Sequence, residues 1–283
     1  MKKIGIVAKL DKQEALDVAK KLIAWLEDKE VEAFVDTVLA AKIGCKNGVD
    51  RKKIPSMVEM LVVLGGDGTL LSAARIVGTK EIPILGVNLG SLGFLTEITL
   101  DELYQVLEKI LQGNFETNER MMLSVTVTRW GEEIGRYSGL NEAVINKGLW
   151  AKIIDLETWI NDEYINTYRA DGLIIATPTG STAYSLSAGG PIIYPSIHSF
   201  VISPICSYTM TNRPIVVPDD VTVKVVLKTP ESDAQLTLDG QVGCPLKVGD
   251  AVEIKKAENH IYLIKSPTKS YYEVLKSKLK WGT

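Results

Sequence analysis

The chain has 283 residues, and its 32 Lys and Arg against 35 Asp and Glu give a formal net charge of −3. At roughly 150 residues per domain, this length predicts about two domains. The 46% hydrophobic and 24% charged residues exclude a disordered, collagen-like or coiled-coil chain and are typical of a soluble enzyme. The slight acidic excess argues against a protein that holds nucleic acid through a broad basic face.

The first third of the chain alternates strands with helices. Short apolar runs predict strands at residues 3–8, 31–36, 60–64 and 82–87, and helical periodicity predicts helices at residues 14–28, 70–77 and 99–112. In the last of these helices, Thr99 and Glu102 have the spacing of a capping box. Since the fully apolar run 60–64 is typical of a buried parallel strand, residues 1–98 are predicted to form an α/β domain with a parallel sheet.

The hydrophobic period changes to two after the helix at 99–112. Strands are predicted at residues 122–128, 152–160, 163–168, 171–176, 215–217, 221–227, 235–238, 251–254 and 261–264, and Asn161-Asp162 has the position of a hairpin turn. Residues 99–265 are therefore predicted to form a mainly β domain. A last amphipathic helix is predicted at residues 270–280, within a C-terminal segment that covers residues 266–283.

One stretch departs from the average composition, because residues 172–212 contain no Asp, Glu, Lys or Arg. It does not predict a membrane span, which needs about 20 consecutive apolar residues. Four prolines interrupt it, namely Pro178, Pro191, Pro195 and Pro204. The N-terminal apolar run is too short for a signal peptide. We expect no membrane association, and residues 192–212 are predicted to lie in the core or at a subunit contact.

The cysteines and histidines exclude several kinds of site. Cys45, Cys206 and Cys244 are widely spaced, without a CxxC pair, which disfavours a disulfide scaffold or a zinc ribbon. This use of cysteine predicts a protein of the reducing cytoplasm. Only His198 and His260 are available for a histidine-rich metal site or a Ser-His-Asp triad, so neither is predicted.

The first motif with chemical meaning is the sequence GGDGT at residues 65–69. A strand that ends in glycines and opens a helix brings backbone N–H groups and the positive end of the helix together, where a phosphate can bind. Asp67 is unusual there, because a carboxylate must contact a hydroxyl group or a metal ion rather than a phosphate. The alternative is a tight turn in which Asp67 caps the helix. The motif is neither a Walker sequence nor GxGxxG.

The second motif opens the uncharged stretch, where RADG at residues 169–172 is followed by a strand and by TPTGSTAYSLSAGGP at residues 177–191. Hydroxyl groups and backbone amides can bind ribose and phosphate oxygens without a net charge, and Tyr184 offers a ring on which a base can stack. The alternative is a surface loop rich in Ser and Thr. By themselves, Asn141-Glu142 and the sequence DGQ at 239–241 predict turns rather than sites.

In this order, the motifs resemble those of the NAD kinase family, whose members phosphorylate NAD to NADP with ATP or polyphosphate. The residues that carry the resemblance are 65–69, 86–95 (GVNLGSLGFL), 141–142, 171–191 and 239–241. The likeness extends from about Lys3 to Lys280, and its most specific part is the block at 171–191. The first motif alone is weaker, because lipid kinases and phosphofructokinases carry similar glycine–aspartate loops.

The resemblance implies a role for each matching residue. Asp67 would be the catalytic base that takes the proton from the 2′-hydroxyl of the adenosine ribose. The NAD site would comprise Asp67, Gly68, Phe94, Asn141, Glu142, Lys152, Arg169, Asp171, Thr182, Ala183, Tyr184, Ser185, Leu186, Ser187 and Gln241. The phosphate loop would comprise Gly65, Gly66, Gly68 and Thr69.

The resemblance also implies the architecture and the partners. The C-terminal domain would be sandwich-like, and the C-terminal helix would return to the N-terminal domain. A divalent metal ion, Mg²⁺, would bind mainly with the nucleotide phosphates, and the substrates would be NAD and ATP or polyphosphate. The protein would be a homodimer or homotetramer without nucleic-acid or membrane partners.

Two rival functions remain open. A lipid kinase could share the glycine–aspartate loop, but lipid kinases of that type carry Gly-Thr-Gly-Asn-Asp soon after it, where this chain has GSLGF at residues 90–94. A non-catalytic NAD(H)-binding sensor is the other rival. Asp67 argues against it, because binding alone does not require a carboxylate among amides that hold phosphate.

Overall fold

The chain divides into two compact units in a computed structural model that describes residues 1–90, 92–148, 152–230 and 233–282. The first unit comprises Met1–Glu119 together with His260–Thr283, and the second comprises Arg120–Asn259. The domain limits that the sequence suggested, at residues 98 and 265, stay a prediction.

The first unit is built on a parallel sheet, as the alternation of strands and helices predicted. Its N-terminal elements are β1 (Lys3–Ala8), α1 (Gln13–Asp28), β2 (Glu32–Asp36), α2 (Thr37–Ile43), β3 (Gly48–Val49), β4 (Met60–Leu64), α3 (Asp67–Val77), β5 (Pro83–Asn88), β6 (Ile98–Thr99) and α4 (Leu100–Leu111). The strand order β5-β4-β1-β2-β3 is parallel throughout, and β6 extends the pairing of β5.

The core of this unit follows from its apolar runs. Every residue of β4 is buried, and Ala15, Ala19, Leu22 and Leu26 of α1 belong to the same hydrophobic cluster. Each fully buried Leu or Ile side chain contributes about 1.5–3 kcal/mol. The capping box of α4 is present as predicted.

Two helices differ from the sequence prediction. The helix α3 begins at Asp67, three residues earlier than predicted, because Gly66 is its N-cap residue. The helix α2 was not predicted, since it follows β2 without a loop. Its N-terminus is capped by Asp36, whose carboxylate accepts hydrogen bonds from the N–H groups of Val38 and Leu39 at 2.9 Å.

The second unit is a sandwich of two antiparallel sheets. Its elements are β7 (Thr117–Arg129), β8 (Glu132–Gly139), β9 (Glu142–Asn146), β10 (Ile154–Ile160), β11 (Glu163–Ala170), β12 (Gly172–Ala176), α5 (Tyr184–Ser187), β13 (Ser199–Ile205), β14 (Ile215–Pro218), β15 (Val223–Leu227), β16 (Gln235–Leu238), β17 (Val242–Pro245) and β18 (Ala251–Ile264). One sheet has the order β11-β10-β15-β18 with β7 and β8 attached, and the other has the order β14-β13-β12-β9-β16-β17. Alternate residues of both sheets share one core, so the predicted fold class is confirmed.

Several strands of this unit were missed or divided by the sequence prediction. Residues 192–212 contain β13, whose Phe200 and Ile202 are fully buried. The strand β18 is continuous, although two short strands were predicted at 251–254 and 261–264. The sequence hides this continuity, because five of the six residues 255–260 are polar or charged and lie exposed or half-buried, and only Ala257 is buried. The strand β9 was also missed, and Glu142 begins it.

The C-terminal segment returns to the first unit. The end of β18 pairs in parallel with β5, where Tyr262 lies opposite Pro83, and α6 (Tyr271–Leu279) follows. The Lys269 ammonium donates to both oxygens of Glu102, at 2.6 and 2.8 Å, which connects this segment to the start of α4. Within the described part of the chain, every helix is too short or too polar to cross a membrane.

Candidate functional site

The sequence GGDGT forms a tight turn between β4 and α3 in the first unit. The N–H group of Gly65 donates to the carbonyl oxygen of Val87 at 3.0 Å, and the N–H group of Thr69 donates to Gly66 at 3.0 Å. A Cβ atom on Gly65 would lie 2.4 Å from Thr69 Oγ1, so only glycine fits there. The turn therefore holds the first residues of α3, with their positive helix end, directly at the end of a buried strand.

Asp67 does not cap its own helix. Its Oδ2 atom accepts a hydrogen bond from the N–H group of Phe94 at 2.9 Å. Its Oδ1 atom accepts from the N–H groups of Leu95 and Thr96, both at 3.1 Å, and from the Thr96 hydroxyl at 3.1 Å. The capping alternative was therefore wrong, and the carboxylate instead fastens the glycine-rich loop that follows β5 to the start of α3.

The loop around Asp67 is packed too closely for larger residues. A Cβ atom on Gly93 would lie 2.1 Å from Asp67 Oδ1. Phe94 is half-buried, and Lys278 Nζ lies 5.8 Å from the centre of its ring. Ser91, which belongs to the motif at residues 86–95, lies outside the described residues. The predicted residues Gly65, Gly66, Asp67, Gly68, Thr69 and Phe94 thus come together in the first unit.

Two buried polar residues support Asp67 and were not predicted as site residues. Asn88 Nδ2 donates to Thr96 Oγ1 at 2.8 Å, and Asn88 Oδ1 accepts from the N–H group of Gly90 at 2.7 Å. Because Thr96 Oγ1 accepts from Asn88, its single proton is directed to Asp67. Asn88 belongs to the motif at residues 86–95, and Thr96 directly follows that motif.

Asn141 and Glu142 lie at the start of β9 in the second unit. Asp239 holds their main chain, because its carboxylate accepts from the N–H groups of Leu140, Asn141 and Glu142 at 3.1, 2.8 and 3.3 Å. Asp239 is 7% exposed and belongs to the predicted turn at residues 239–241, which also contains Gln241. The turn is thus confirmed, and it adjoins the predicted Asn-Glu pair.

The segment after β12 closes over this strand start. The Thr177 hydroxyl donates to the carbonyl oxygen of Leu140 at 2.6 Å, and the Thr177 N–H group donates to that of Asn141 at 2.8 Å. A Cβ atom on Gly180 would lie 2.1 Å from the Asn141 carbonyl oxygen. The main-chain N–H group of Tyr184 faces the Glu142 carboxyl group and lowers its pKa. The structure therefore brings residues 182–187 beside Asn141 and Glu142.

The side chains of this segment differ in exposure. The hydroxyl groups of Ser185 and Ser203 are 3.1 Å apart, and Ser185 is fully buried. The Tyr184 side chain is 44% exposed. Thr182, Ala183 and Leu186 are half-buried, and Ser187 is exposed.

The Asn-Glu pair presents buried polar atoms that need a partner. Within the described residues, Asn141 Oδ1 and Glu142 Oε2 are buried without a hydrogen-bond partner. Burial raises the pKa of Glu142 to about 8, aided by the negative charge of Asp239 and opposed by the main-chain N–H group of Tyr184. The carboxyl group is therefore mainly protonated at neutral pH. A buried atom without a partner costs about 1–3 kcal/mol, which a polar ligand can recover.

Three predicted residues lie elsewhere in this unit. In the β9–β12 pair, Glu142 lies opposite Ala176 and Asn146 lies opposite Gly172. At about 3.3 Å per residue, Ala176 and Gly172 are roughly 13 Å apart. Arg169 and Asp171 lie beyond the Gly172 end of β12, away from Glu142. The Asp171 carboxylate pairs with Lys147 Nζ at 2.7 Å. The Arg169 guanidinium lies 5.4 Å from the ring centre of Tyr208. Lys152 is exposed before β10. Their contacts with NAD stay predictions.

The described residues contain no metal cage, and a cleft in the first unit lies away from the predicted site residues. Among the described residues, no three His, Cys, Asp or Glu side chains converge as metal ligands would. A cleft of about 590 Å³ lies between the end of α4 and residues 264–267, and its lining contains none of the predicted site residues.

Comparison with known proteins identifies the family. Residues 4–115 match the model of the ATP-NAD kinase N-terminal domain, and residues 140–266 match that of the ATP-NAD kinase C-terminal domain. The chain is 55% identical over 282 residues to the NAD kinase of Geobacter sulfurreducens, covering 100% of this chain and 99% of that protein. It is 53% identical over 283 residues to the NAD kinase of Syntrophotalea carbinolica, with the same coverage.

Solved structures share the fold. Yeast NADH kinase complexed with NADH superposes with a TM-score of 0.93 at 23% identity, covering 100% of this chain and 88% of that one. An NAD kinase from Archaeoglobus fulgidus in complex with ATP gives a TM-score of 0.78 at 24% identity, covering 98% of each chain. The family models match in order along most of the sequence, and the relatives are similar over their full length. This chain therefore belongs to the NAD kinase family.

Proposed function

We propose that this protein is an NAD kinase that transfers a phosphoryl group from ATP to the 2′-hydroxyl of the adenosine ribose of NAD, giving NADP. The observation that carries the proposal is the carboxylate of Asp67, held by backbone amides at the positive end of α3. A phosphate would bind at such a helix start, and a hydroxyl group would bind to the carboxylate.

The hydrogen bonds of Asp67 indicate which of its oxygens acts on the substrate. An ionised carboxylate has about four lone-pair sites, two on each oxygen. Oδ1 accepts three hydrogen bonds at 3.1 Å, which share its two lone pairs, whereas Oδ2 accepts one, from Phe94. The remaining site on Oδ2 is the place for the ribose 2′-hydroxyl. Because phosphoryl transfer passes through a loose transition state, orienting this hydroxyl and accepting its proton late in the reaction suffice.

The second unit supplies polar groups for the dinucleotide. Asn141 Oδ1 and the neutral carboxyl group of Glu142 would pair with hydroxyl or amide groups of NAD, and the exposed ring of Tyr184 would stack on a base. The half-buried and exposed residues of the segment 182–187 and Gln241 complete this part of the proposed NAD site. Lys152, Arg169 and Asp171 are proposed as further contacts by resemblance alone.

A divalent ion, Mg²⁺, is part of the proposal. The described residues form no cage of three ligands, so the ion would be held mainly by the nucleotide phosphates, with one or two protein oxygens. When bound, it neutralises charge on the phosphates. The protein's own contribution is the position of Asp67 and of the amides around it.

The assembly and the location of the protein are also proposals. Cys45, Cys206 and Cys244 are free thiols, which supports the cytoplasm. Tyr208 is 71% exposed and Met210 is 89% exposed, which supports a contact in a homodimer or homotetramer, because large apolar side chains gain by burial. No nucleic acid or membrane is proposed as a partner.

One assay separates the candidate functions. Purified protein is incubated with Mg²⁺, ATP and either NAD or diacylglycerol, and NADP is measured with an NADP-specific dehydrogenase. NADP from the first mixture alone supports the proposal, and phosphorylated lipid supports the lipid kinase. NAD binding without either product identifies a sensor. Replacing ATP with polyphosphate in the same assay establishes the preferred phosphate donor.

A further inference from the structure

The hairpin between β16 and β17 contains an aspartate whose side chain acts on a different strand. Asp239 and Gly240 have positive φ values of 51° and 64°, which together form the tight turn that this Asp-Gly pair favours. The turn is closed by the N–H group of Gln241, which donates to the carbonyl oxygen of Leu238 at 3.0 Å. The Asp239 side chain extends to the junction between β8 and β9.

At that junction the Asp239 side chain accepts hydrogen bonds from main-chain N–H groups. The strand β8 ends at Gly139 and β9 begins at Glu142, so the residues between them lie outside the regular pairing. The Asp239 carboxylate accepts hydrogen bonds from the N–H groups of Leu140, Asn141 and Glu142. The main-chain N–H group of Asp239 donates to the Glu142 carbonyl oxygen at 3.0 Å. Buried N–H groups without partners are costly, so this carboxylate determines the main-chain path at Asn141 and Glu142.

We propose that Asp239 is a positioning residue of the NAD site, which sets the direction of the Asn141 and Glu142 side chains. Its negative charge beside Glu142 also favours the protonated form of that carboxyl group. The proposal rests on the proposed function, because it takes these two side chains to bind the dinucleotide. Asp239 itself acts through the strand start rather than by contact with the substrate.

The surroundings of Glu142 explain the protonation. From the hairpin, Asp239 contributes a negative charge; from α5, Tyr184 contributes a main-chain N–H group. From β12, the residue opposite Glu142 is Ala176, which has no charge. With a pKa near 8, Glu142 presents a hydroxyl donor on a buried oxygen at neutral pH and becomes a carboxylate only in alkaline solution.

The test measures the dissociation constant of NAD by calorimetry without ATP, between pH 6 and pH 9.5. For the wild type we expect constant affinity up to about pH 8 and then weaker binding, by up to tenfold per pH unit, as Glu142 ionises. In Glu142→Gln this break should disappear. Asp239→Asn should weaken NAD binding at least tenfold at pH 7 and move the break to lower pH, because the charge that acts on Glu142 is lost.

The control is Asp162→Asn, which makes the same change in an exposed hairpin turn and should bind NAD as the wild type does. If Asp239→Asn keeps both the wild-type affinity and the wild-type break, the proposal is wrong. A wild-type break below pH 6, or one that persists in Glu142→Gln, also overturns it, even if Asp239→Asn fails to fold. If the wild type neither binds nor phosphorylates NAD, the proposed function has failed instead.

Discussion

Replacing Glu102 by Gln should destabilise the first unit, because this carboxylate connects α4 to the C-terminal segment. Its Oε2 atom accepts from the N–H and hydroxyl groups of Thr99 at 2.9 and 2.8 Å. Its Oε1 atom accepts from the Thr268 hydroxyl at 2.7 Å, and the Lys269 ammonium donates to both oxygens. Glutamine removes the charge and replaces one acceptor with an amide donor.

The pKa of Glu102 provides the magnitude. Burial by itself raises the pKa of Glu102. The hydrogen bonds from Lys269, Thr99 and Thr268 lower it by a larger amount, so the pKa falls from 4.5 to about 2. A shift of this size corresponds to roughly 3 kcal/mol at about 1.4 kcal/mol per pH unit. The side chains of Glu102 and Lys269 are 22% and 24% exposed, so water weakens the interaction. We therefore expect Glu102→Gln to lower the free energy of unfolding by about 2 kcal/mol at pH 7.

The pH dependence follows from the sign of the shift. Because the pKa is lower in the folded state, the stabilisation is fully present above pH 4.5 and is lost as the pH falls towards 2. Urea unfolding followed by circular dichroism measures the free energy of unfolding at pH 7 and pH 3. The difference in this free energy between wild type and variant should be about half as large, or less, at pH 3 as at pH 7. The matched control is Glu108→Gln on the same helix.

Glu108 pairs with Lys29 at 3.4 Å, and their side chains are 52% and 44% exposed. Exposed pairs contribute roughly 0–1 kcal/mol, so this variant should change little. Equal effects of the two substitutions at pH 7, or a difference for Glu102→Gln that is the same at both pH values, would refute the reasoning.

Three further substitutions test the two units. Asp67→Asn should reduce kcat more than 100-fold while calorimetry shows NAD binding largely unchanged, and near-normal turnover would contradict the role of Asp67 as base. Thr96→Val removes the hydroxyl that donates to Asp67, so kcat should fall about tenfold without a change in the KM for NAD, and an equal rise in KM would indicate a binding role instead. Asp250→Asn breaks the paired hydrogen bonds from Arg129, at 2.8 and 2.7 Å, to a carboxylate with a fully buried side chain, and thermal unfolding should show a loss of about 3 kcal/mol. The exposed Glu133→Gln is its control, and an equal effect of the two would contradict this.

The sequence predicted those features that depend on neighbouring residues. The buried strand β4 follows from five consecutive apolar residues, and the capping box of α4 follows from the spacing of Thr99 and Glu102. Both signals are complete within one element. The missed helix α2 carried its signal as well, because Asp36 stands in the N-cap position, but the absence of a loop after β2 concealed it.

The register of the second unit could not be obtained in this way. Arg169 and Asp171 stand close to residues 177–187 in the sequence, and the resemblance placed all of them in one site. They are separated because β12 is an extended strand, whose two ends lie far apart. Asn141 and Glu142, which are distant in sequence, come to the far end because β9 pairs antiparallel with β12.

Asp67 and Asp239 show why the supporting contacts are the hardest part to predict. Each carboxylate accepts three or more hydrogen bonds from consecutive residues of another segment, 27 to 29 positions away for Asp67 and 97 to 99 for Asp239. In the sequence, both appear as an aspartate beside glycines, a pattern that turns alone account for. The two residues differ in what they leave available. The Oδ2 atom of Asp67 accepts one hydrogen bond at the start of a helix, and we propose that the substrate hydroxyl binds there. The carboxylate of Asp239 lies buried against a strand start, where it orients Asn141 and Glu142. An aspartate beside glycines is therefore informative only when the groups that bind its carboxylate are known, because they show whether an oxygen is left for a ligand.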